Sequence, residues 1–315
     1  MQFRGWIEEG GRVLAPSEVA ELTPERLCCC GGEFVLATDR FTARDRYGIM
    51  PGPIPPGVIR SSGREWRIVP DVPDLSLEDA IREAVRLRCD DRSTASVVTL
   101  SGGVDSTLIA VLADLPCIAV GFAGSQDLCA ATDAADRLGL SLTVGEITDE
   151  DLEEALPRVR AALPAASRMD LELALTGYFI GKTAAACGAE KVLTGQAADE
   201  LFGGYARYGR SVHLRADLDA DFAGLAVQRV RDATAAGLSG VWYSMPYMDE
   251  RVVRASRNLA DAELVASDLR KIALRKVAAK YLPEDLAWKP KKAMQYGSGM
   301  TAALRRMEKR MREFV

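Results

Sequence analysis

Six residues, Ser101-Gly102-Gly103-Val104-Asp105-Ser106, have the types and spacing that suit a phosphate group. Two glycines let successive backbone N–H groups face one concavity, and two serine hydroxyls add donors at its rim. Asp105 adds a carboxylate of the kind that shares a hydrated Mg²⁺ with phosphate oxygens. A second cluster runs Thr194-Gly195-Gln196-Ala197-Ala198-Asp199-Glu200. Its small residues permit close backbone approach to a ligand, and Asp199 is the candidate second carboxylate for the same cation. A third, Lys289-Pro290-Lys291-Lys292, stands just before the turn Gly297-Ser298-Gly299 and offers cationic groups. Each cluster has a plainer reading: a glycine-rich strand-to-helix turn, a pair of solvated acids, a solvated lysine face.

Positioning these groups falls to the elements on either side. Ser101 follows a short apolar, β-branched run at 95–100, and Leu108, Val111 and Leu112 after it recur at helical spacing. The order is therefore strand, tight loop, helix, with the helix N-terminus adding unsatisfied donors. No GxxxxGK[ST] segment is present. Gly177-Tyr178-Phe179-Ile180-Gly181-Lys182-Thr183 falls one residue short of it and sits in a helical apolar pattern, which reads as packing. Further apolar runs at 117–122, 140–147 and 191–194 alternate with helical patterns at 127–138, 149–163 and 170–187. Alternation of this length predicts an α/β fold, a doubly wound parallel sheet that binds ligands at the carboxyl ends of its strands. Ser76 with Asp79 three residues on opens a helix before the sheet. Residues 271–281 read as an amphipathic helix, and 304–314 as a basic surface helix. The first 70 residues show short strands at 3–7, 27–30 and 33–38, a turn at 9–11 and a Pro/Gly cluster at 51–57. They hold few large apolar side chains, so this segment is expected to pack on later parts of the chain.

Composition narrows the class. A net charge of −5 with dispersed Lys and Arg lacks the basic stripe that nucleic-acid binding needs. No apolar run approaches the roughly 20 residues of a membrane span, and MQFRGWIEEGG has no signal-peptide core, so the expected location is cytoplasmic. Seven cysteines without framework spacing fit reduced thiols. Cys28-Cys29-Cys30 read as strand residues, not metal ligands, because strand neighbours point to opposite faces. His213, the single histidine, reads as a surface residue.

SGGVDS resembles the pyrophosphate loop of the ATP pyrophosphatase (PP-loop) superfamily, whose members cleave ATP between the α and β phosphates. Leu193-Thr194-Gly195-Gln196-Ala197-Ala198-Asp199-Glu200-Leu201-Phe202-Gly203-Gly204-Tyr205 resembles the SGEGxDELFGGY segment of asparagine synthetases, and Ala119 to Leu128 resembles their AVGxxGSxDL segment. That resemblance implies ATP and Mg²⁺ as cofactors and nucleotide contacts at Leu100, Ser101, Gly102, Gly103, Asp105, Ser106, Val120, Thr194 and Gly195. It further implies Mg²⁺ on Asp105 and Asp199, and Lys291 against the phosphates and the charge that develops in the reaction. Gln196 stands where the family carries a glutamate thought to take a proton from the incoming nitrogen. Gly240 to Asp249 aligns with a GVEARVPFLD-type segment near the amino-acid substrate, but with Trp242 and Ser244 in place of its acid and arginine. Arg231 is a candidate for a further arginine of the family. Phe41 to Gly57 resembles the end of a glutaminase domain; Gln2 stands where the nucleophilic cysteine would be. The resemblance therefore divides the chain into 1–70, a shortened glutaminase-like remnant without glutamine hydrolysis, and 71–315, a synthetase-like domain. The implied reaction activates a carboxylate, aspartate in the family, as an acyl-adenylate and amidates it with ammonia or an amine, free or from a separate glutaminase subunit. Another carboxylate, as in lactam synthetases, and a nucleotide-binding module that has lost catalysis are the alternatives.

Overall fold

The computed structural model describes residues 1–91, 93–289 and 297–313. The chain forms two compact units, each assembled from separated runs: 1–93, 195–229 and 244–277 in the first, and 94–194, 230–243 and 278–315 in the second.

The second unit is built on a five-stranded sheet. Its strands are β7 (Ser96–Thr99), β8 (Cys117–Phe122), β9 (Leu142–Ile147), β10 (Lys191–Leu193) and β11 (Trp242–Ser244), in the order β11-β10-β7-β8-β9. β10 and β7, β7 and β8, and β8 and β9 pair in parallel. The chain leaves β7 toward β8 on one side, and β10 returns on the other, so the sheet reverses direction at β7. The crevice at the carboxyl ends of such strands is where doubly wound sheets take ligands. Helices Val104–Ala113, Gln126–Leu138, Asp149–Ala162 and Arg168–Ala186 supply the crossovers. Val120, Ile147, Leu152, Leu175 and Phe179 are core residues here, as the alternating pattern predicts.

Two local results refine the sequence reading. The Gly177–Thr183 run is packing: Tyr243 Oη donates to the Gly177 carbonyl at 2.8 Å, and a Cβ at Gly181 would sit 3.2 Å from the Ala236 carbonyl oxygen. The basic helix begins earlier than expected, at Met300, and is not wholly a surface element. Met300, Ala303, Leu304 and Met307 enter the core, while Arg306 and Arg310 pair with Asp149. Spacing of 3–4 residues puts both stripes on one helix, one apolar and one cationic.

The first unit carries a six-stranded antiparallel sheet of β1 (Gln2–Glu9), β2 (Arg12–Val13), β3 (Gly31–Ala37), β4 (Thr42–Arg44), β5 (Val58–Ser61) and β6 (Arg64–Arg67), ordered β2-β1-β3-β4-β5-β6. Residues 27–30 are not a strand. Thr23 Oγ1 accepts from Arg26 N and Pro24 takes the first helical position, so Pro24–Leu27 is a helical turn, with Cys28–Cys30 following it. Pro at that position and Thr before it are helix-start signals that outweigh the apolar LCCC run. The sheet does pack on later chain, through buried charges. Glu33 accepts from Trp6 Nε1 (3.3 Å), Arg88 Nε (2.9 Å) and Met245 N (2.9 Å). Arg88 also reaches Asp249, Asp249 pairs with Arg251, and Arg251 closes the chain on Glu8 at 2.8 Å. Each of these five ionic side chains is at least nine-tenths buried. Removing one member strands another charge out of water, a change that costs about 3–5 kcal/mol in buried pairs.

No helix among the described residues is long and apolar enough to cross a membrane.

Candidate active site

The phosphate loop is closed on itself by its two hydroxyls. Ser106 Oγ lies 2.9 Å from Ser101 Oγ, accepts from Ser101 N at 3.2 Å and donates to the Gly103 carbonyl. Thr107 Oγ1 donates to the same carbonyl at 2.8 Å. Gly102 is required twice over: its φ is +66°, and a Cβ would lie 2.4 Å from the Ala130 carbonyl oxygen. Gly103 is the N-cap of the helix Val104–Ala113, and it has no side chain to occupy the first-turn N–H groups. The N–H groups at such a helix start are donors suited to an anion. Leu100 N donates to Ile118 O at 2.8 Å, which fixes the loop to β8. Thr99 Oγ1 donates to Leu193 O at 3.3 Å, so Thr194 begins beside the end of β7.

The next strand end is equally constrained. Val120 is buried, and Gly121 is followed by a turn in which Phe122 N donates to Ser298 O at 3.0 Å. A Cβ at Gly121 would meet Ser125 Oγ at 2.5 Å, and one at Gly297 would meet Asp127 Oδ1 at 2.2 Å. Glycines at both places thus let the end of the lysine-bearing segment seat against the turn after β8. Lys291 itself lies outside the described residues.

Gly195, Gln196 and Asp199 belong to the first unit. Ala197 adopts φ +71° ahead of the short helix Ala198–Phe202, a left-handed conformation that costs a non-glycine residue roughly 1–2 kcal/mol. Asp199 pairs with Lys271 Nζ at 2.8 Å. Lys271, buried and itself at φ +56°, is a charged group of this turn that the sequence reading placed only in an amphipathic helix. Gly204 makes that pair possible, since a Cβ there would fall 1.7 Å from Asp199 Oδ1 and 2.3 Å from Lys271 Cε. Glu200 turns the other way. It is buried, accepts from Tyr205 Oη, and burial pushes its carboxyl up to about 7. Phe202 packs edge-on against Tyr247 at 5.8 Å, which ties the turn to the segment Met245–Asp249.

Several candidates are committed elsewhere. Asp249 is the N-cap of the helix Glu250–Arg257 and is held by Arg88 and Arg251. Arg231 is buried between Asp232 (2.8 Å) and Asp170 (3.0 Å). Trp242 and Ser244 are both buried, and Trp242 lies under Lys191 Nζ, 6.0 Å from the ring centroid. These two departures are core positions.

A parallel sheet whose switch-point strand ends in this hydroxyl-closed loop is an α/β fold of the PP-loop ATP pyrophosphatase type. Comparison with known proteins goes one step further. The chain matches the family model described as asparagine synthase over residues 76–239 and 224–315, and it belongs to that family. It is 33% identical over 266 residues to a putative glutamine-hydrolyzing asparagine synthetase of Methanocaldococcus jannaschii, covering 71% of this chain and 49% of the relative. Against asparagine synthetase B of Escherichia coli it is 25% identical over 230 residues, covering 64% and 41%. The chain thus spans about half the length of the curated relatives it matches. Among solved structures it is similar to the NMN synthetase of Francisella tularensis, at 15% identity and a TM-score of 0.31, covering 70% of this chain and 99% of that one.

Proposed function

We propose that the chain is an ATP-dependent amide ligase that forms an acyl-adenylate, with aspartate as its carboxylate substrate. A carboxylate oxygen attacks the α phosphorus of ATP, and the α–β bond breaks to release pyrophosphate. The nitrogen of ammonia, supplied free or by a separate amidase subunit, then attacks the acyl carbon, AMP leaves, and a base takes the surplus proton. The observation that carries this reading is the Ser101–Ser106 loop at the sheet's switch point, in a chain of the asparagine synthase family.

In this scheme Ser101, Gly102, Gly103 and Ser106 hold the departing pyrophosphate, while Leu100, Val120, Thr194 and Gly195 form the nucleotide's surroundings. Asp105 and Asp199 offer the hard carboxylate oxygens that Mg²⁺ takes, and the space left by Gly204 suits a carboxylate there. Mg²⁺, when bound, neutralises phosphate charge. Lys271 already neutralises Asp199, and Lys291 adds positive charge where the α phosphorus is attacked. Gln196 is a carboxamide and accepts no proton at neutral pH. Pyrophosphate release measured across an amino-acid panel, with and without ammonium, tests the proposal. AMP and pyrophosphate in the presence of aspartate are the expected products; ADP and orthophosphate refute it.

A further inference from the structure

Arg229 lies in the long helix Leu214–Gly237 and retains 8% of its surface. No carboxylate among the described residues is within ion-pair distance of it. Its one polar contact is Nη1 to the Met248 thioether at 3.7 Å, and its Nε is buried without any acceptor. A thioether accepts weakly. Arg231, two residues on, shows the usual solution: it is equally buried, and it has two carboxylates.

The surroundings hold one acid and a second guanidinium. Phe222, two helical turns earlier and on the same face, packs edge-on against Tyr47 at 5.7 Å, so this face of the helix looks toward the loop at 45–50. Asp45, which opens that loop, and Arg44, which ends β4, both act electrostatically on Arg229, the acid attracting it and Arg44 repelling it; Arg44 has no ion pair among the described residues. Three of its N–H groups go to neutral carbonyls, those of Met50 (2.7 Å), Gly48 (2.9 Å) and Ile54 (3.3 Å). Asp45, fully buried, also accepts from Ile49 N (2.9 Å) and Met50 N (3.0 Å). Burial holds both guanidinium groups below their ordinary pKa. Two cations thus share one acid that already accepts two backbone N–H groups, and a buried charge in excess of its partners costs several kcal/mol.

We propose that Arg229, with Arg44 beside it, is a subsite for a small oxyanion, a carboxylate or a phosphate. A planar guanidinium with a bare Nε and a second guanidinium nearby is the donor set that pairs with two oxygens of such a group. The role is independent of nucleotide use and stands whether or not the chain forms amides.

Thermal unfolding of the full chain, in chloride buffer at constant ionic strength, tests this with two probes, acetate and inorganic phosphate. The expected result is a saturable rise in Tm with at least one probe, and the one that saturates lower identifies the source. Arg229→Met, which keeps an apolar stem, is expected to be at least as stable as the parent in chloride and to give no rise with either probe. A parent that responds to neither anion, or an Arg229→Met chain that is destabilised yet keeps the full response, overturns the proposal. Should Arg229→Met not fold, Arg229→Lys decides the matter: losing the fork should raise half-saturation about tenfold, and an unchanged half-saturation refutes the site.

Discussion

Gly204→Ala adds a single methyl group at the tightest place in the acidic turn. Its Cβ would lie 1.7 Å from Asp199 Oδ1, where ordinary contact begins at 3.4 Å, so the carboxylate must withdraw by the difference, 1.7 Å. Lys271 Cε, at 2.3 Å, must yield 1.1 Å by the same subtraction. The backbone at 204 cannot give way easily, because its N–H donates to Asp199 O at 2.8 Å and its carbonyl accepts from Arg270 Nη1 at 2.7 Å. The side chains move instead, and the Lys271–Asp199 pair parts. Overpacking costs typically about 1–3 kcal/mol, and a pair whose acid is 43% exposed adds no more than about 1. A loss of about 2–4 kcal/mol should lower Tm by several degrees. On the proposed role of Asp199 in holding Mg²⁺, ATP–pyrophosphate exchange should fall on the order of a hundredfold or more. Differential scanning calorimetry and the exchange assay check the two effects separately. In a Lys271→Ala background the stability cost should shrink, since the two positions share one contact. Parental Tm and exchange in Gly204→Ala would refute the reasoning, because a clash of this size cannot be silent.

Three other outcomes are expected. Ala197→Gly should stabilise the chain by about 0.5–1 kcal/mol in denaturant unfolding, by relieving φ +71°; destabilisation would mean that the alanine methyl packs more than it strains. Gln196→Glu should speed amide formation by roughly 10² or more while leaving pyrophosphate exchange nearly unchanged. Glu200 binds its proton more tightly folded than unfolded, so its contribution is complete below about 4.5 and is lost as pH rises through about 7. The loss is on the order of 3 kcal/mol, and Glu200→Gln should flatten that stretch of the stability–pH curve; an unaltered slope rejects the assignment.

The range of each interaction decides whether the sequence reveals it. The strand–loop–helix around Ser101 is legible because β-branched runs, glycines and helical spacing are local, and each agrees with the sheet that forms. Cys28 to Cys30 misled because their apolar character spoke for a strand while Thr23-Pro24 spoke for a helix start, and the cap prevailed. The hairpin of β5 and β6 was hidden behind the Pro/Gly cluster, whose breakers gave no sign of the pairing to come. Lys271 could not be read as a partner of Asp199, since only the fold brings together residues 72 positions apart (271 − 199). The burial of Trp242 and Ser244 could not be read from the sequence either, because it depends on the strands and helices that close over β11.

The buried chain of charges from Glu8 to Arg251 also sets a timetable. Those two residues are 243 positions apart, and a ribosome adding about 5–20 residues per second needs roughly 12–50 s to travel between them. For most of that interval Glu8 and Glu33 have both left the exit tunnel, while the arginine that completes their network does not yet exist. The sheet β1–β6 is consequently a structure the nascent chain cannot finish early. Its apolar core lies within residues 7–68, but its buried acids lack their arginine partner until residue 251 has emerged. Slowing elongation downstream of residue 93 should therefore lengthen the period of protease sensitivity of the first ninety residues more than that of β7–β9, whose pairings with one another are complete within some fifty residues.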